Sequence, residues 1–290
     1  MKRNLSTLDT DIGQDWSRLV KDAFADGIDC DLITEGGLET DKSAQAIMAV
    51  SATQNYALGT RRAHDGKVYR YAKCCTGTAL IAGHLIQSAA YGGSVSSTAG
   101  HGLDIDTAST AGADYGYATL NSTGGVIAAN KFKDGYYIVS DGSAVQGVGQ
   151  MKKILSHPAS SASGAEVKFT FTTPLEVLIA SSTGAAGIIK NLYDDVVDAP
   201  TVMTGLSVGV APVAVPVATP YFWLQTWGLC PLLIKTAMTA GTTVMRDAAA
   251  VGSGGIASGG SAPIAAEKIG ESGWITDTTD NGFVYLNLAP

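Results

Sequence analysis

From Ile47 onward the chain is a succession of short runs of alternating polar and apolar residues, punctuated by Gly, Asp and Asn. Asp65-Gly66 leads into Lys67-Val68-Tyr69-Arg70-Tyr71-Ala72. Asp134-Gly135 leads into Tyr136-Tyr137-Ile138-Val139, which Asp141-Gly142 follows, and Asn281-Gly282 leads into Phe283-Val284-Tyr285-Leu286-Asn287-Leu288. Glu166-Val167-Lys168-Phe169-Thr170-Phe171-Thr172 carries the cleanest two-residue period. Successive side chains of a strand point to opposite faces, and Asp-Gly and Asn-Gly tolerate the positive φ angles of tight hairpins. No sustained helical periodicity appears after Ala25. The expected fold is therefore mostly β, a sandwich or barrel with long Gly/Ser/Thr-rich loops.

Residues 1–46 read as an N-terminal arm with one short helix. Between Gln14 and Ala25, Trp16, Leu19, Val20, Ala23 and Phe24 recur at helical spacing, and Gly27 supplies a stop. Such a helix either docks on a partner or packs on its own domain. Residues 47–200 form a β-rich region and 201–290 a second one. Pro200 and Gly205 mark a boundary between them, although one continuous fold accommodates the same pattern. Ala89–Thr123, rich in Gly, Ser, Thr and Ala, reads as a long loop or an insertion, which leaves a small subdomain open, and Val251–Ala262 as a flexible loop. Long loops on a β scaffold suggest ordering by a neighbouring subunit.

Composition narrows the function. Charged residues are 16% of the chain and the net charge is -7, against about 25% charged in soluble domains generally. A pI near 5.0 disfavours a nucleic-acid partner, because phosphates repel an acidic surface. The most apolar stretch, Val208–Leu233, is broken by Pro212, Pro216, Pro220 and Pro231. A membrane-spanning helix needs about 20 apolar residues without repeated breakers, so no membrane role is expected. Cys30, Cys74, Cys75 and Cys230 include no C-x-x-C pair and read as small buried hydrophobes.

Catalytic constellations are sparse. His101, Asp104 and Asp106 give H-x-x-D-x-D, which lacks the register of a calcium loop, and His64, His84 and His157 have no metal-ligand spacing. No Gly-x-Ser-x-Gly elbow or phosphate loop occurs. Asp194-Asp195 are adjacent carboxylates, but on a strand they would face opposite ways. Neither catalysis nor a metal or cofactor is expected. The strongest single feature is Tyr221-Phe222-Trp223-Leu224-Gln225-Thr226-Trp227-Gly228. In a regular strand Tyr221, Trp223, Gln225 and Trp227 share one face, and Phe222, Leu224 and Thr226 the other. Tyr221, Trp223 and Trp227 are thus candidates for a core or a subunit interface, with a sugar-binding platform as the alternative.

The order of several segments resembles a family of tailed-phage virion structural proteins. Leu58-Gly59-Thr60 precedes Asp65-Gly66-Lys67-Val68-Tyr69-Arg70-Tyr71-Ala72-Lys73 and Leu80-Ile81-Ala82-Gly83. Lys133-Asp134-Gly135-Tyr136, Lys153-Ile154-Leu155-Ser156-His157-Pro158-Ala159 and Trp223-Leu224-Gln225-Thr226-Trp227-Gly228 then follow in the same order. The similarity spans about Ser51 to Pro290. It implies a capsid decoration (cement) protein on the exterior of the virion, made in the host cytoplasm. Its expected partners are the major capsid protein and copies of itself in a homotrimer. Trp16, Leu19, Val20 and Phe24 of the arm are the candidate capsid contacts. The alternatives are another virion component (major capsid subunit, head fibre or tail protein) or a carbohydrate-binding β-protein.

Overall fold

Asp65 and Gly66 sit at φ 53° and 69°, as a tight hairpin turn requires, and join β1 (Arg61–His64) to β2 (Lys67–Lys73). The computed structural model describes residues 45–89, 103–119, 126–141, 147–162, 164–181, 185–235, 237–247, 250–255, 267–273 and 281–289. Every regular element among them is a strand, so the fold is mostly β. After β2 come β3 (Leu85–Gln87), β4 (Leu103–Asp104), β5 (Tyr115–Thr119), β6 (Tyr136–Asp141), β7 (Met151–Ser156), β8 (Glu166–Phe171) and β9 (Ala185–Ile189). The chain continues through β10 (Val197–Asp198), β11 (Ser207–Val210), β12 (Tyr221–Leu233), β13 (Thr243–Arg246), β14 (Gly254–Gly255), β15 (Lys268–Ser272) and β16 (Asn281–Asn287).

These strands make two bodies. β4–β9 close into a six-stranded barrel in the order β4-β5-β8-β7-β6-β9. The other ten form one sheet in the order β10-β3-β11-β12-β16-β15-β13-β14, with β2 pairing β12 and β1. The barrel is therefore an insertion between β3 and β10, and the sheet draws strands from both sides of residue 200. The loop reading is corrected for both Gly-rich stretches, and the alternative of an insertion describes the first. Ala89–Thr123 contributes β4 and β5 to the barrel, and Gly254–Gly255 of the 251–262 stretch pairs with Met245 and Arg246. Asn281-Gly282, expected as a turn, lies inside the ladder opposite Leu233 and Leu232.

A barrel of this size is filled by its own side chains. Val167, Phe169, Phe171, Tyr137, Val139, Ile154, Ala118 and Ala186 point inward, and Phe132, Ile127 and Leu175 close the core. Gly116 is small because Phe171 lies over it: a Cβ there would sit 2.9 Å from the ring tip. The barrel meets the sheet through buried polar groups. Asn191 Nδ2 donates to the carbonyls of Leu58 (3.1 Å) and Asp134 (2.9 Å), and Asp134 Oδ2 accepts from Leu58 N–H (3.3 Å) and Gln54 Nε2 (3.2 Å).

His157 is buried in the barrel, between the rings of Phe132 and Phe169 at 5.7 and 5.0 Å. Its Nε2 accepts the Phe132 N–H (3.0 Å), and its Nδ1 lies 2.8 Å from the Pro158 carbonyl. An accepting Nε2 fixes the neutral tautomer with the proton on Nδ1. Burial accordingly lowers its pKa below 6.5, against the opposing pull of the Pro158 carbonyl. The unfolded chain then binds the proton more readily than the folded one, so this residue's contribution to stability is complete above pH 6.5 and declines as pH falls below it. Urea titrations of wild type and His157→Gln at pH 7.5 and 5.5 test this. The wild type should lose more stability than the variant over that interval, and equal slopes would refute the assignment.

Candidate interaction face

Residues Tyr221 to Trp227 bury almost every side chain. Trp223 is 1% exposed; its indole N–H donates to the Gln45 carbonyl (3.0 Å), and its ring packs against Tyr56 and Tyr71, each at 5.1 Å. Tyr221 is half-buried and stacks on Tyr71 at 6.2 Å. On the opposite face Phe222 and Leu224 join Ala72, Leu80, Ile86 and Val208. Trp223 is thus enclosed within this chain, a position no sugar can reach.

Trp227 departs from the expected face. Gln225 pairs with Tyr69 and Trp227 with Val68, so two residues of β12 oppose one step of β2. This bulge turns Trp227 to the side opposite Gln225 and Trp223, because Tyr69 and Val68 themselves point opposite ways. Gly228 follows at φ 88°, where a Cβ would lie 3.0 Å from the Gly66 carbonyl oxygen. Trp227 is consequently half-buried, with its ring edge-on to Tyr285 at 5.2 Å.

Beyond the bulge the strand alternates cleanly. Cys230 and Leu232 enter the core with Val284, Leu286 and Ile269, while Leu229 and Pro231 face outward. Leu229 lies directly opposite Tyr285, and Pro231 opposite Phe283. Leu229, Phe283 and Tyr285 are 46%, 51% and 43% exposed. Together with Trp227 they form a flat apolar face two strands wide. Glu271, opposite Tyr285 on β15, borders it and pairs with Lys268 at 3.3 Å. These side chains adjoin one another and make one continuous apolar patch, unlike apolar residues exposed singly. Sequence reading passed over Leu229, Pro231, Phe283 and Tyr285, although an available signal was the nearly unbroken apolar run Phe283-Val284-Tyr285-Leu286, which leaves neither face polar.

Other candidates resolve differently. Asp194 and Asp195 occupy a turn rather than a strand, with Asp195 at φ 55°, and both carboxylates converge on two lysines. This corrects the expectation that they face apart. Lys73 Nζ reaches Asp194 at 3.2 Å and Asp195 at 3.3 Å, and Lys190 contacts both. Burial and the adjacent Asp195 raise the Asp194 pKa, whereas the lysines outweigh burial at Asp195 and lower it. The lysines balance the two charges, so the cluster is a structural clasp between β2 and the 190–195 turn. Cys74 and Cys230 are buried, and desolvation pushes their thiols up to about 11 and about 12, far from a reactive thiolate. Asp106 accepts from Thr119, and Glu166 from Thr107. Among the described residues no group of three or more His, Cys, Asp or Glu is placed to hold a metal, and no helix is long and apolar enough to cross a membrane. Trp16, Leu19, Val20 and Phe24 lie outside the described residues.

Compared with protein-family models, curated proteins and solved structures, the chain matches none.

The geometry ranks the aromatic substitutions. Trp223→Ala should cost about 3 to 5 kcal/mol, as for other large core aromatics. Phe283→Ser should stay within about 1 kcal/mol of wild type, as substitutions at exposed positions do. Trp227→Ala should fall between them. Denaturant unfolding of the three variants would reject this assignment if Phe283→Ser proved the most damaging.

Proposed function

We propose that this chain is a virion structural protein, a capsid decoration (cement) protein that binds the outer shell of a tailed phage and stabilises it by bridging capsid subunits. In this reading it acts as a homotrimer on the capsid exterior after synthesis in the host cytoplasm, and performs no catalysis. The observation that carries the reading is the outward face of Trp227, Leu229, Pro231, Phe283 and Tyr285 on the ten-stranded sheet. The ordered similarity of residues 51–290 to tailed-phage virion proteins directs it to a capsid.

Burying such a face contributes roughly 25 cal/mol per Å² of apolar surface removed from water, less the cost of immobilising the partners. Bridging converts that gain into shell stability, since a protein bound across two subunits must be released before they separate. The absence of charge from the centre of the face suits this, because interface cores are depleted of charged groups.

A second reading is favoured by one observation: Trp227, Phe283 and Tyr285 are aromatic and bordered by Glu271 and Asn287, as a sugar platform would be. The two separate experimentally. Emptied heads of the virus that encodes the chain are incubated with the full protein, and their rupture temperature and bound protein are measured. Bound wild type should raise the rupture temperature, and the double variant Leu229→Ser/Phe283→Ser should bind less while keeping its own melting temperature. In the same assay Trp16→Ala/Phe24→Ala should lower occupancy if the arm contacts the shell. Absence of head binding, together with retention of wild type on a glycan array, would replace the capsid reading with the sugar one.

A further inference from the structure

Four segments far apart in the sequence enclose a cavity of about 300 Å³ beside the turn that leads from the barrel to the sheet. They are the β9–β10 turn, the entry to β11, the entry to β15 and the exit of β16. Leu192, Tyr193, Leu206, Val208 and Leu288 give the cavity an apolar side. Ser207, Glu267, Lys268 and Asn287 give it a polar one. Joining an apolar wall to a few polar groups is the usual form of a ligand site, and this volume is at the lower limit for one.

The walls are held from behind. Arg246 of β13 donates to the carbonyls of Pro200 (2.5 Å), Val202 (3.5 Å) and Gly205 (3.5 Å). This fixes the loop that precedes Leu206, with Val202 and Met203 exposed at its tip. Ser88 N–H donates to the Leu206 carbonyl (2.8 Å), and Leu206 N–H donates to Ser88 Oγ (3.1 Å). On the other walls Tyr193 N–H donates to Asn191 Oδ1 (2.9 Å) and Leu288 N–H to the Thr226 carbonyl (3.2 Å). A site tied down in this way loses little freedom when a ligand enters.

The polar side is short of a cation for its carboxylate. Glu267 Oε2 accepts the Ser207 N–H (2.9 Å), and among the described residues nothing donates to Oε1. Lys268, the cation that lines the cavity, is drawn to Glu271 at 3.3 Å. Arg246 lies near enough for the Glu267 charge to oppose the lowering of its pKa by burial. Its guanidinium is nevertheless directed at the loop carbonyls and at Gln87 Oε1 (2.9 Å). We propose that this cavity binds a primary ammonium on a short aliphatic stem, the stem against Leu192, Leu206 and Leu288 and the ammonium at Glu267. Hydrogen bonds between ionised partners are the strong ones, and a methylene stem beneath a charged head suits a lining that is apolar on one side and polar on the other. A polyol would press its hydroxyls on aliphatic side chains, and an anion would meet Glu267. A lysine side chain of a bound protein and a free alkylamine share the required chemistry. The site is separate from the Trp227–Tyr285 face and does not use the capsid reading.

The experiment titrates the full chain, labelled at its Leu and Val methyls, with n-pentylamine, n-pentanol and Nα-acetyl-lysine-N-methylamide at neutral pH, and follows the methyl spectrum. Pentylamine should shift the methyls of Leu192, Leu206 and Leu288 and saturate in the millimolar range. Pentanol has the same stem without the charge and should bind at least about threefold more weakly, because a hydrogen bond to a charged group contributes more than a neutral one. Glu267→Gln keeps an acceptor for the Ser207 N–H, and in this variant amine and alcohol should bind alike. Leu192→Ser, at an exposed position, should weaken both. Matching melting curves establish that the variants are folded. The blocked lysine separates the sources: binding as tight as that of pentylamine identifies a lysine of a bound protein, and binding of pentylamine alone identifies a small free amine. Equal binding of amine and alcohol to wild type would overturn the proposal, as would an amine preference that survives Glu267→Gln. So would failure of both amines to saturate these methyls.

Discussion

β12 is the strand on which the rest of the sheet depends, because it pairs with β2, β11 and β16. Its first half is covered on both faces, which is why Tyr221 to Trp227 is nearly all aromatic or aliphatic. Its second half is covered on one face only. The bulge after Gln225 and the positive φ of Gly228 form the hinge between these regimes, and they decide which residues meet water. Without the bulge Trp227 would lie on the side of Trp223, and Leu229 and Pro231 would follow it. Gly228 also leaves little room for a side chain, since Gly66 and Lys67 of the β1–β2 hairpin lie against it. A backbone accommodation at one hairpin therefore fixes the position of the apolar face.

Charge is distributed in a complementary way. Among the described residues, several charged groups lie inside the fold and engage one another or the backbone. Lys73 and Lys190 clasp Asp194 and Asp195, Lys152 runs to Glu176 from a buried stem, and Arg246 binds loop carbonyls. A chain with only 16% charged residues that places part of them in this way has fewer left for its exterior. On the proposed function such a surface favours contact with protein, since gathering anionic polymers needs fields of one positive sign.

Individual strands of both bodies were legible in the sequence, because hairpin dipeptides and two-residue periods are local signals. Lys67–Lys73 of the sheet and Glu166–Phe171 of the barrel fall where those signals put them, whereas the last strand begins at Asn281, inside the dipeptide that signalled a turn. The closure of the barrel was not legible. It depends on β9 pairing with both β4 and β6, a relation between distant residues that no local pattern encodes. Two of the barrel's strands also lie in a stretch whose Gly and Ala content suggests a loop, yet Gly116 is small because Phe171 needs the space above it. Small residues there report packing rather than flexibility. The apolar face was partly legible: Gly228 within a strand pattern signals a bulge, and Phe283-Val284-Tyr285-Leu286 leaves no polar face. Asp194 and Asp195 were misread because a left-handed residue in a turn lets neighbouring side chains converge, whereas a strand separates them.

A flat apolar face and a pinned loop supply different things to an assembly. Hydrophobic burial is roughly proportional to area and is nearly indifferent to direction, so a flat face alone tolerates sliding and rotation of whatever covers it. Register must come from relief, and relief is useful only if it holds its shape before contact. The Val202–Met203 tip has that property because its carbonyls are tied to Arg246, which belongs to a different strand of the same sheet. Both features project from one hydrogen-bonded sheet, so the distance between them is set by the ladders from β11 through β12 and β16 to β15 and β13. The apolar face and the Arg246-pinned loop are thus held in fixed relation by one sheet, so on the proposed function whatever covers the face would meet the loop in one register.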